Sequence, residues 1–219
     1  MTFRPRFRPP ARRPGPMALF DLFRKAPPAA DRAALVAWLD SRAAHLIQKG
    51  IHEYSRARAG TNWQVIYQEP MFIAALDVAR WRSFPIGLQL VGEMVEGALR
   101  PFAPAPAALA PAVAACALKA FDRHPVYPAI GDAEWGAMRA ALHDALIAVG
   151  LHPPKPVKDI SVPFGPRIFE LMPMHPDIKQ QDSLIVRNHL RTSLITLHAE
   201  FVRDFDCAAL AAELAPAGA

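Results

Sequence analysis

IHEYSRARAGTNWQVIYQEPMFIAALDVARWRSFPIGLQLVGEMVEGALR, residues 51–100, is the stretch that decides the fold of this chain. Gly60 is typical of a helix end, and Pro70 is typical of the first position of the next helix. Ser83 and Pro85 repeat such a start, so we expect one helix to begin at Pro70 and a separate helix to begin at Ser83. Apolar residues recur at spacings of three and four in both segments. The stretch therefore predicts the hub of an α-helical bundle.

Helices of the same periodicity are predicted on both sides of this stretch. Asp31, Asp132 and Asp182 are typical N-cap residues, and each precedes an apolar pattern of helical period. The predicted helices run from Asp31 to about Arg58, from about Pro111 to Phe121, from Asp132 to Gly150, from Asp182 to about Phe205, and from Asp206 towards Pro216. We therefore expect an all-α fold, a single bundle of about six to eight helices in residues 31–215.

The segment before the last long helix has a different composition. Residues 151–180 contain seven prolines, which exclude a long helix. The same segment is rich in Val, Ile, Phe and Met, and this apolar content argues against disorder. A connection of this length with little regular structure is uncommon in a compact domain unless it packs or functions. We expect a long Pro-rich packed loop across the bundle, with room for a short helix at residues 166–171.

The positive charge of the chain is concentrated at its beginning. The formal net charge is +5, from 25 Lys and Arg against 20 Asp and Glu. Residues 1–16 hold five arginines and no acidic residue, so the rest of the chain is formally neutral. A neutral body lacks the broad basic face that binding to duplex nucleic acid requires. We expect no nucleic-acid partner.

Residues 1–30 are predicted to form a disordered leader that is first basic and then apolar. Pro and Arg dominate its first half and offer little to bury. Met17 has the surroundings of a natural start, so whether residues 1–16 are translated stays undecided. The arginines and the apolar residues after Met17 suit contact with an anionic membrane surface through residues 1–25, and a loose tail is the alternative.

The cysteines and the basic residues indicate the compartment and the source. Cys116 and Cys207 stand alone, without the paired spacing of a metal or redox motif, and reduced cytoplasmic thiols explain them. Arginine outnumbers lysine by 19 to 6, which is typical of a high-GC bacterial genome. The leader lacks the apolar region of a secretory signal. We expect a bacterial cytoplasmic protein, with peripheral attachment to the inner membrane as an alternative.

The loop at residues 163–177 is the best place for chemistry in this sequence. His175 and Asp177 stand two apart on a backbone stiffened by proline, and such a pair suits general acid–base work. Arg167 in the same loop, or Arg191 on the last long helix, is expected to hold an anionic or carbonyl group of a substrate. No nucleophile motif, phosphate-binding glycine loop or zinc-ligand spacing is present. The sequence leaves any cofactor unknown, and no metal site is predicted.

A row of polar side chains shares one side of the helix expected after Ser83. The row consists of Gln89, Glu93, Glu96 and Arg100. We expect it to face solvent, with a Glu96–Arg100 ion pair one turn apart. A metal site or an acid–base pair formed by the two glutamates is the alternative.

Two functions of different classes are compatible with these patterns. The first is a non-enzymatic accessory or interaction protein with a protein partner, because a well-patterned bundle is combined with a basic leader and no active-site motif. The second is an esterase-like hydrolase that uses the His/Asp pair of the 163–177 loop. A third hypothesis is a small-ligand pocket between helices, lined by Trp63, Trp81, Phe164 and Met172.

Four segments, at residues 52–60, 79–85, 172–178 and 190–201, resemble small α-helical proteins of alphaproteobacteria. The resemblance implies no catalytic or binding residue for this chain.

Overall fold

The computed structural model describes residues 28–173 and 183–217. The α-helices in this part of the chain are α1 (Arg32–Ala59), α2 (Trp63–Ile66), α3 (Pro70–Leu99), α4 (Pro106–Phe121), α5 (Asp132–Val149), α6 (Val157–Ile160), α7 (Phe164–Leu171), α8 (Ser183–Asp204) and α9 (Cys207–Leu214). Extended pairing within the described ranges is limited to one isolated parallel bridge, between Ala29 and Phe205. The predicted all-α fold is confirmed. Of the leader predicted at residues 1–30, residues 1–27 lie outside the described residues, and so does the N-cap predicted at Asp182.

Local signals set both ends of α1 as predicted. The Asp31 side chain accepts a hydrogen bond from the backbone N–H of Ala34 at 2.8 Å, which satisfies one of the free donors of the first turn. Gly60 follows the helix with φ of 57°, a left-handed conformation that glycine adopts at little cost. At the other end of the chain, Asp206 caps α9 in the same way, by accepting from the N–H of Ala209.

The prediction of a helix break at Ser83 is wrong, because α3 runs without interruption through Pro85. A proline inside a helix removes one backbone hydrogen bond and costs about 3 kcal/mol. Here every residue from 83 to 88 is buried, so packing on several sides outweighs the local cost. The prediction that Pro111 starts the next helix is also wrong. Helix α4 begins at Pro106 and contains Pro111 in its second turn.

Helix α3 lies at the centre of the fold and contacts α1, α4, α5, α7, α8 and α9. Its second half is buried on all sides, with Leu88, Leu90, Val91, Val95 and Leu99 completely inaccessible. Gly87 allows α1 to approach closely, because a Cβ at this position would lie 2.6 Å from Ile47 Cγ1 and 3.1 Å from the carbonyl oxygen of Ala43. The predicted central position is therefore confirmed for residues 83–99, whereas none of residues 56–71 is buried.

The described part of the Pro-rich segment packs against the bundle as expected. Helices α6 and α7 contact α3 and α8, and they bury Ile160, Phe164, Ile168 and Phe169. The short helix is longer than predicted, since it begins at Phe164 rather than at residue 166. Within residues 28–173 and 183–217, no helix combines the length and the apolar content needed to cross a bilayer.

Candidate functional site

The structure places only two of the four predicted catalytic residues. His175 and Asp177 lie outside the described residues. Arg167 is exposed on α7, with its guanidinium carbon 5.6 Å from the centre of the Phe164 ring. Arg191 is exposed on α8. The proposed acid–base pair of the 163–177 loop thus stays a prediction.

In the row of polar side chains on α3, the two glutamates are buried and Gln89 and Arg100 are partly buried, so the prediction of a solvent-exposed face is wrong. Glu93 is 6% exposed and Glu96 is 1% exposed. Lys155 Nζ lies 2.6 Å from Glu93 Oε1, and Arg100 Nε lies 2.7 Å from Glu96 Oε1. The Glu96–Arg100 pair itself is confirmed. Burial is tolerated because each carboxylate has a cationic partner.

Arg100 has a structural role beyond its ion pair. Its guanidinium also donates to the backbone carbonyl of Val149 at 3.0 Å and to that of His152. These acceptors belong to the last residue of α5 and to the turn after it, where carbonyl groups have no partner within the helix. Arg100 therefore fastens the end of α5 to α3. A cavity of about 310 Å³ lies beside these carboxylates, and Arg167 lines its edge.

A polar groove between α1 and α8 is the more promising site, and we name it the α1/α8 groove. It has a volume of about 330 Å³. Helix α1 contributes side chains three and four positions apart, which share one helix face, and α8 contributes hydroxyls and one acid. The lining residues are Arg42, His45, Leu46 and Lys49 of α1, and His189, Thr192, Ser193, Thr196, Leu197 and Glu200 of α8.

Three of the side chains that line this groove have a buried polar atom without a hydrogen bond. They are Arg42 Nε, His189 Nε2 and Glu200 Oε2, and none has a hydrogen-bond partner among the described residues. Arg42 Nη2 lies 3.3 Å from Glu200 Oε2, so the two charges offset each other without meeting the geometry of a hydrogen bond. A buried polar group left unpaired costs about 1–3 kcal/mol. Binding of a molecule with complementary polar atoms would recover part of that free energy.

His189 lies at one end of the groove and is kept neutral by its surroundings. Burial lowers the pKa of this imidazole, while the nearby carboxylate of Glu53 opposes the shift. Glu53 Oε2 lies 3.7 Å from His189 Nδ1, too far for a hydrogen bond. A Cβ atom at Gly50 would lie 3.4 Å from the His189 Cδ2 atom, so a side chain at position 50 would touch the ring. The neutral ring can accept or donate one hydrogen bond at each nitrogen, depending on the tautomer.

A second cavity of about 330 Å³ continues the groove past His189. Its lining is mainly apolar, from Tyr54 and Ala57 on α1 and from Ile185 and Val186 on α8. His189 lines both cavities. The helix pair therefore presents a polar half and a mainly apolar half that share His189, and Glu53 and Arg58 also line the apolar half.

The hydrophobic residues proposed to line one pocket are not brought together. Trp63 contacts Arg56, whose guanidinium carbon is 4.4 Å from its ring. Trp81 belongs to an aromatic cluster with Trp135. Phe164 lines the cavity beside Glu93, and Met172 is in the hydrophobic core.

The sequence contained a signal for the α1 side of the groove. Arg42, His45 and Lys49 follow a spacing of three and four, but this spacing is the same in a binding site and in an ordinary solvent-exposed helix face. The pairing of this face with α8 depends on contacts between residues about 150 positions apart in the sequence, and helical periodicity carries no information on such contacts.

The described residues show no activated nucleophile or metal cluster. Within residues 28–173 and 184–217, no serine or cysteine side chain hydrogen-bonds to a histidine ring. Burial raises the pKa of the Cys116 thiol, which disfavours the reactive thiolate. The same part of the chain contains no group of three His, Cys, Asp or Glu side chains able to hold a metal ion.

Comparisons with protein-family profiles, with curated proteins and with solved structures give no match for this chain. The functional conclusion therefore depends on the geometry of the α1/α8 groove.

Proposed function

We propose that this protein is a non-enzymatic accessory protein of the bacterial cytosol, and that the α1/α8 groove binds an acidic segment of a protein partner. The observation that supports the proposal is that two side chains lining the groove, Arg42 and His189, each have a buried nitrogen atom without a hydrogen bond, and that three hydroxyl side chains line the same groove. A carboxylate can accept from several donors at once, and such charge-assisted bonds are the stronger kind.

The length of the site favours a peptide over a small molecule. The polar and apolar cavities together extend along α1 from Arg42 to Arg58, which is about 24 Å at a rise of about 1.5 Å per residue. An extended peptide of about seven residues spans this distance. The apolar half beyond His189 suits hydrophobic side chains, so the expected partner segment has an acidic residue next to apolar ones.

The charge of the groove limits the strength of binding. Glu200 offsets Arg42, and Glu53 lies 3.9 Å from Lys49 Nζ. Part of the attraction to an anion is therefore cancelled, and the cationic ends of Arg42 and Lys49 are accessible to salt. We expect moderate affinity that weakens as ionic strength rises, because mobile ions screen exposed charges.

Fluorescence anisotropy with labelled peptides tests the proposal. A peptide that alternates Asp and Leu is compared with its Asn/Leu counterpart, which has the same shape without the charge. We expect the acidic peptide to bind preferentially and Arg42→Gln to weaken it by about 10-fold, the effect of losing about 1.4 kcal/mol. Arg203→Gln is the matched control, because Arg203 is exposed near the end of α8 and is paired with Asp204. Equal binding of the two peptides would contradict the proposal.

The membrane contact through residues 1–25 belongs to the same proposal and has its own test. The full chain and a variant without residues 1–25 are mixed with anionic vesicles and sedimented. Arginines near an anionic surface contribute about 1 kcal/mol each, so the full chain should sediment with the vesicles and the shortened one should not. Equal sedimentation of both removes the membrane contact and leaves the groove proposal untouched.

A hydrolase is the second candidate, and the position of His189 favours it. Burial keeps this ring neutral, as a general base must be, and Ser193 lines the same groove one turn further along α8. Hydrolysis of p-nitrophenyl acetate is the measurement. Loss of activity in His189→Gln would support a site in the groove, whereas loss in His175→Gln or Asp177→Asn would support the loop pair. Absence of activity in the full chain would remove both versions.

A further inference from the structure

A separate cavity lies on another side of α1, away from the α1/α8 groove. It has a volume of about 230 Å³ and is bounded by Ala44, Ile47 and Gln48 of α1, Arg80, Trp81 and Phe84 of α3, and His124. None of these residues lines the α1/α8 groove. Its walls are mainly apolar or aromatic, and Arg80 is the one arginine or lysine among those seven side chains. Small-molecule sites commonly combine an apolar cavity with a few polar groups.

The Trp81 wall of this cavity is held in place by other aromatic rings. Tyr127 stacks on Trp81 with ring centres 6.1 Å apart and planes at 28°. Trp135 and His124 also contact Trp81, at 5.8 Å and 5.1 Å between ring centres. Trp81 is only partly buried, so its ring is fixed by neighbours while part of it faces the cavity. A fixed ring loses little conformational freedom when a flat ligand packs against it.

Polar groups define the edge of the cavity. His124 Nε2 lies 2.8 Å from Asp40 Oδ1, and Arg123 Nη1 lies 3.4 Å from the other oxygen of that carboxylate. The orientation of the His124 ring is thereby fixed, and the charge of Asp40 is offset by Arg123. The Arg80 guanidinium carbon lies 5.1 Å from the centre of the Trp81 ring, and Arg80 Nη2 lies 3.5 Å from Asp77. A cation thus lies over the ring that forms the wall.

We propose that this cavity binds a small aromatic carboxylate, with the ring of the ligand against Trp81 and Phe84 and its carboxylate at Arg80. Offset or edge-on contacts between aromatic rings are favourable beyond the burial of area. Arginine is well suited to a carboxylate, because its planar guanidinium donates two parallel hydrogen bonds. The volume of about 230 Å³ is below the range of about 300–1,000 Å³ of sites for drug-sized ligands, which restricts the ligand to about one ring.

Ligand-observed ¹⁹F NMR on the full chain tests this site with 4-fluorobenzoate as the probe. A ligand of this size is expected to bind with a Kd on the order of 1 mM. Two comparison probes separate the contributions: 4-fluorobenzyl alcohol lacks the charge, and 4-fluorocyclohexanecarboxylate lacks the aromatic ring. We expect each to bind at least about threefold more weakly than 4-fluorobenzoate.

Two variants and one control locate the binding. Ala44→Leu fills the cavity and should weaken binding by at least about 10-fold, and Arg80→Gln should weaken it by about 3- to 10-fold. Ala148→Leu is the matched control, because Ala148 is similarly half-buried but lines the cavity beside Glu93. It should leave the Kd unchanged. A nuclear Overhauser effect between the probe and the Trp81 ring protons gives the location without any substitution.

The outcomes decide the proposal in either direction. Weaker binding in Ala44→Leu together with contact to Trp81 supports it. Lack of saturable binding up to about 20 mM, or binding that Ala44→Leu leaves unchanged, overturns it. If Ala44→Leu does not fold, the nuclear Overhauser effect in the unmodified chain decides instead. Its absence between the probe and the Trp81 ring protons overturns the proposal on its own.

Discussion

Gly87 of α3 lies against Ile47 of α1 so closely that a Cβ atom at position 87 would stand 2.6 Å from Ile47 Cγ1. Ile47 is itself buried and cannot move aside freely. The closest approach of the two longest helices therefore depends on a residue without a side chain.

Gly87→Ala is expected to destabilise the protein. Overpacking in a filled core costs about 1–3 kcal/mol, and the better helix propensity of alanine returns about 1 kcal/mol. The expected net loss is about 1 kcal/mol, measured as the free energy of unfolding in urea. Gly136→Ala is the matched control, since nothing lies within 4 Å of its Cβ position in α5. That variant should gain about 0.5–1 kcal/mol, and a gain in both variants would contradict the close approach.

Arg100→Gln is expected to lower the free energy of unfolding by much more than the removal of a surface ion pair does. The substitution leaves the buried carboxylate of Glu96 without its partner and removes donors from two carbonyls at the end of α5. Breaking a buried pair on one side costs about 3–5 kcal/mol. Because Arg100 is partly exposed, we expect the stability loss to be at the lower end, about 3 kcal/mol. Chemical denaturation measures the loss.

Arg139→Gln provides the comparison for that measurement. Arg139 forms an equally short pair with Asp122 on the surface, and exposed pairs contribute at most about 1 kcal/mol. If both variants lose the same free energy, burial of Glu96 does not decide the effect. The double variant Glu96→Gln with Arg100→Gln should recover part of the loss, because no uncompensated charge then remains in the core.

His189 predicts a particular dependence of stability on pH. Its pKa is lowered in the folded protein by burial, so the unfolded chain takes up a proton first as the pH falls below about 6.5. The unfolded state then binds more protons, and stability decreases from there down to the lowered folded-state pKa. The urea midpoint should fall as the pH is lowered from 8 to 5. In His189→Gln, the slope of the midpoint against pH should be smaller. His143→Gln, which alters an exposed ring, should keep the slope; a flatter slope there would assign the effect to surface histidines.

Cys116 should react with thiol reagents only when the protein opens. It is completely buried, and burial raises its pKa, so both access and thiolate content are low. In the Cys207→Ala variant, Cys116 is the remaining thiol. Ellman's reagent should label it hardly at all in the folded state and completely in urea. Rapid labelling of Cys116 in folded protein would contradict its burial.

Sequence patterns predicted the features of this fold that depend on neighbours in the chain. The ends of α1 follow from Asp31 and Gly60, whose effects act within one turn. The continuity of α3 could not be predicted, because Pro85 acts locally while the packing that outweighs it comes from other helices.

In the candidate site, too, some features follow from neighbours in the chain and others depend on distant contacts. Glu93 and Glu96 have the spacing of an exposed row, and their burial depends on Lys155, 62 positions away from Glu93, and on Arg100 and its carbonyl partners in the turn after α5. The basic face of α1 was readable at Arg42 and Lys49, but the helix opposite it was not. Contacts between distant segments decide which charged side chains become a site.

The bridge between Ala29 and Phe205 has a consequence for the order of events during synthesis. The backbone N–H of Ala29 donates to the carbonyl of Asp204, and that of Asp206 donates to the carbonyl of Ala29. Arg32 N–H donates to Glu213, 181 positions later. These contacts of the first turn of α1 therefore cannot form until residues 204–213 have left the ribosome, and a nascent chain stalled before residue 205 should present that turn to proteases and chaperones.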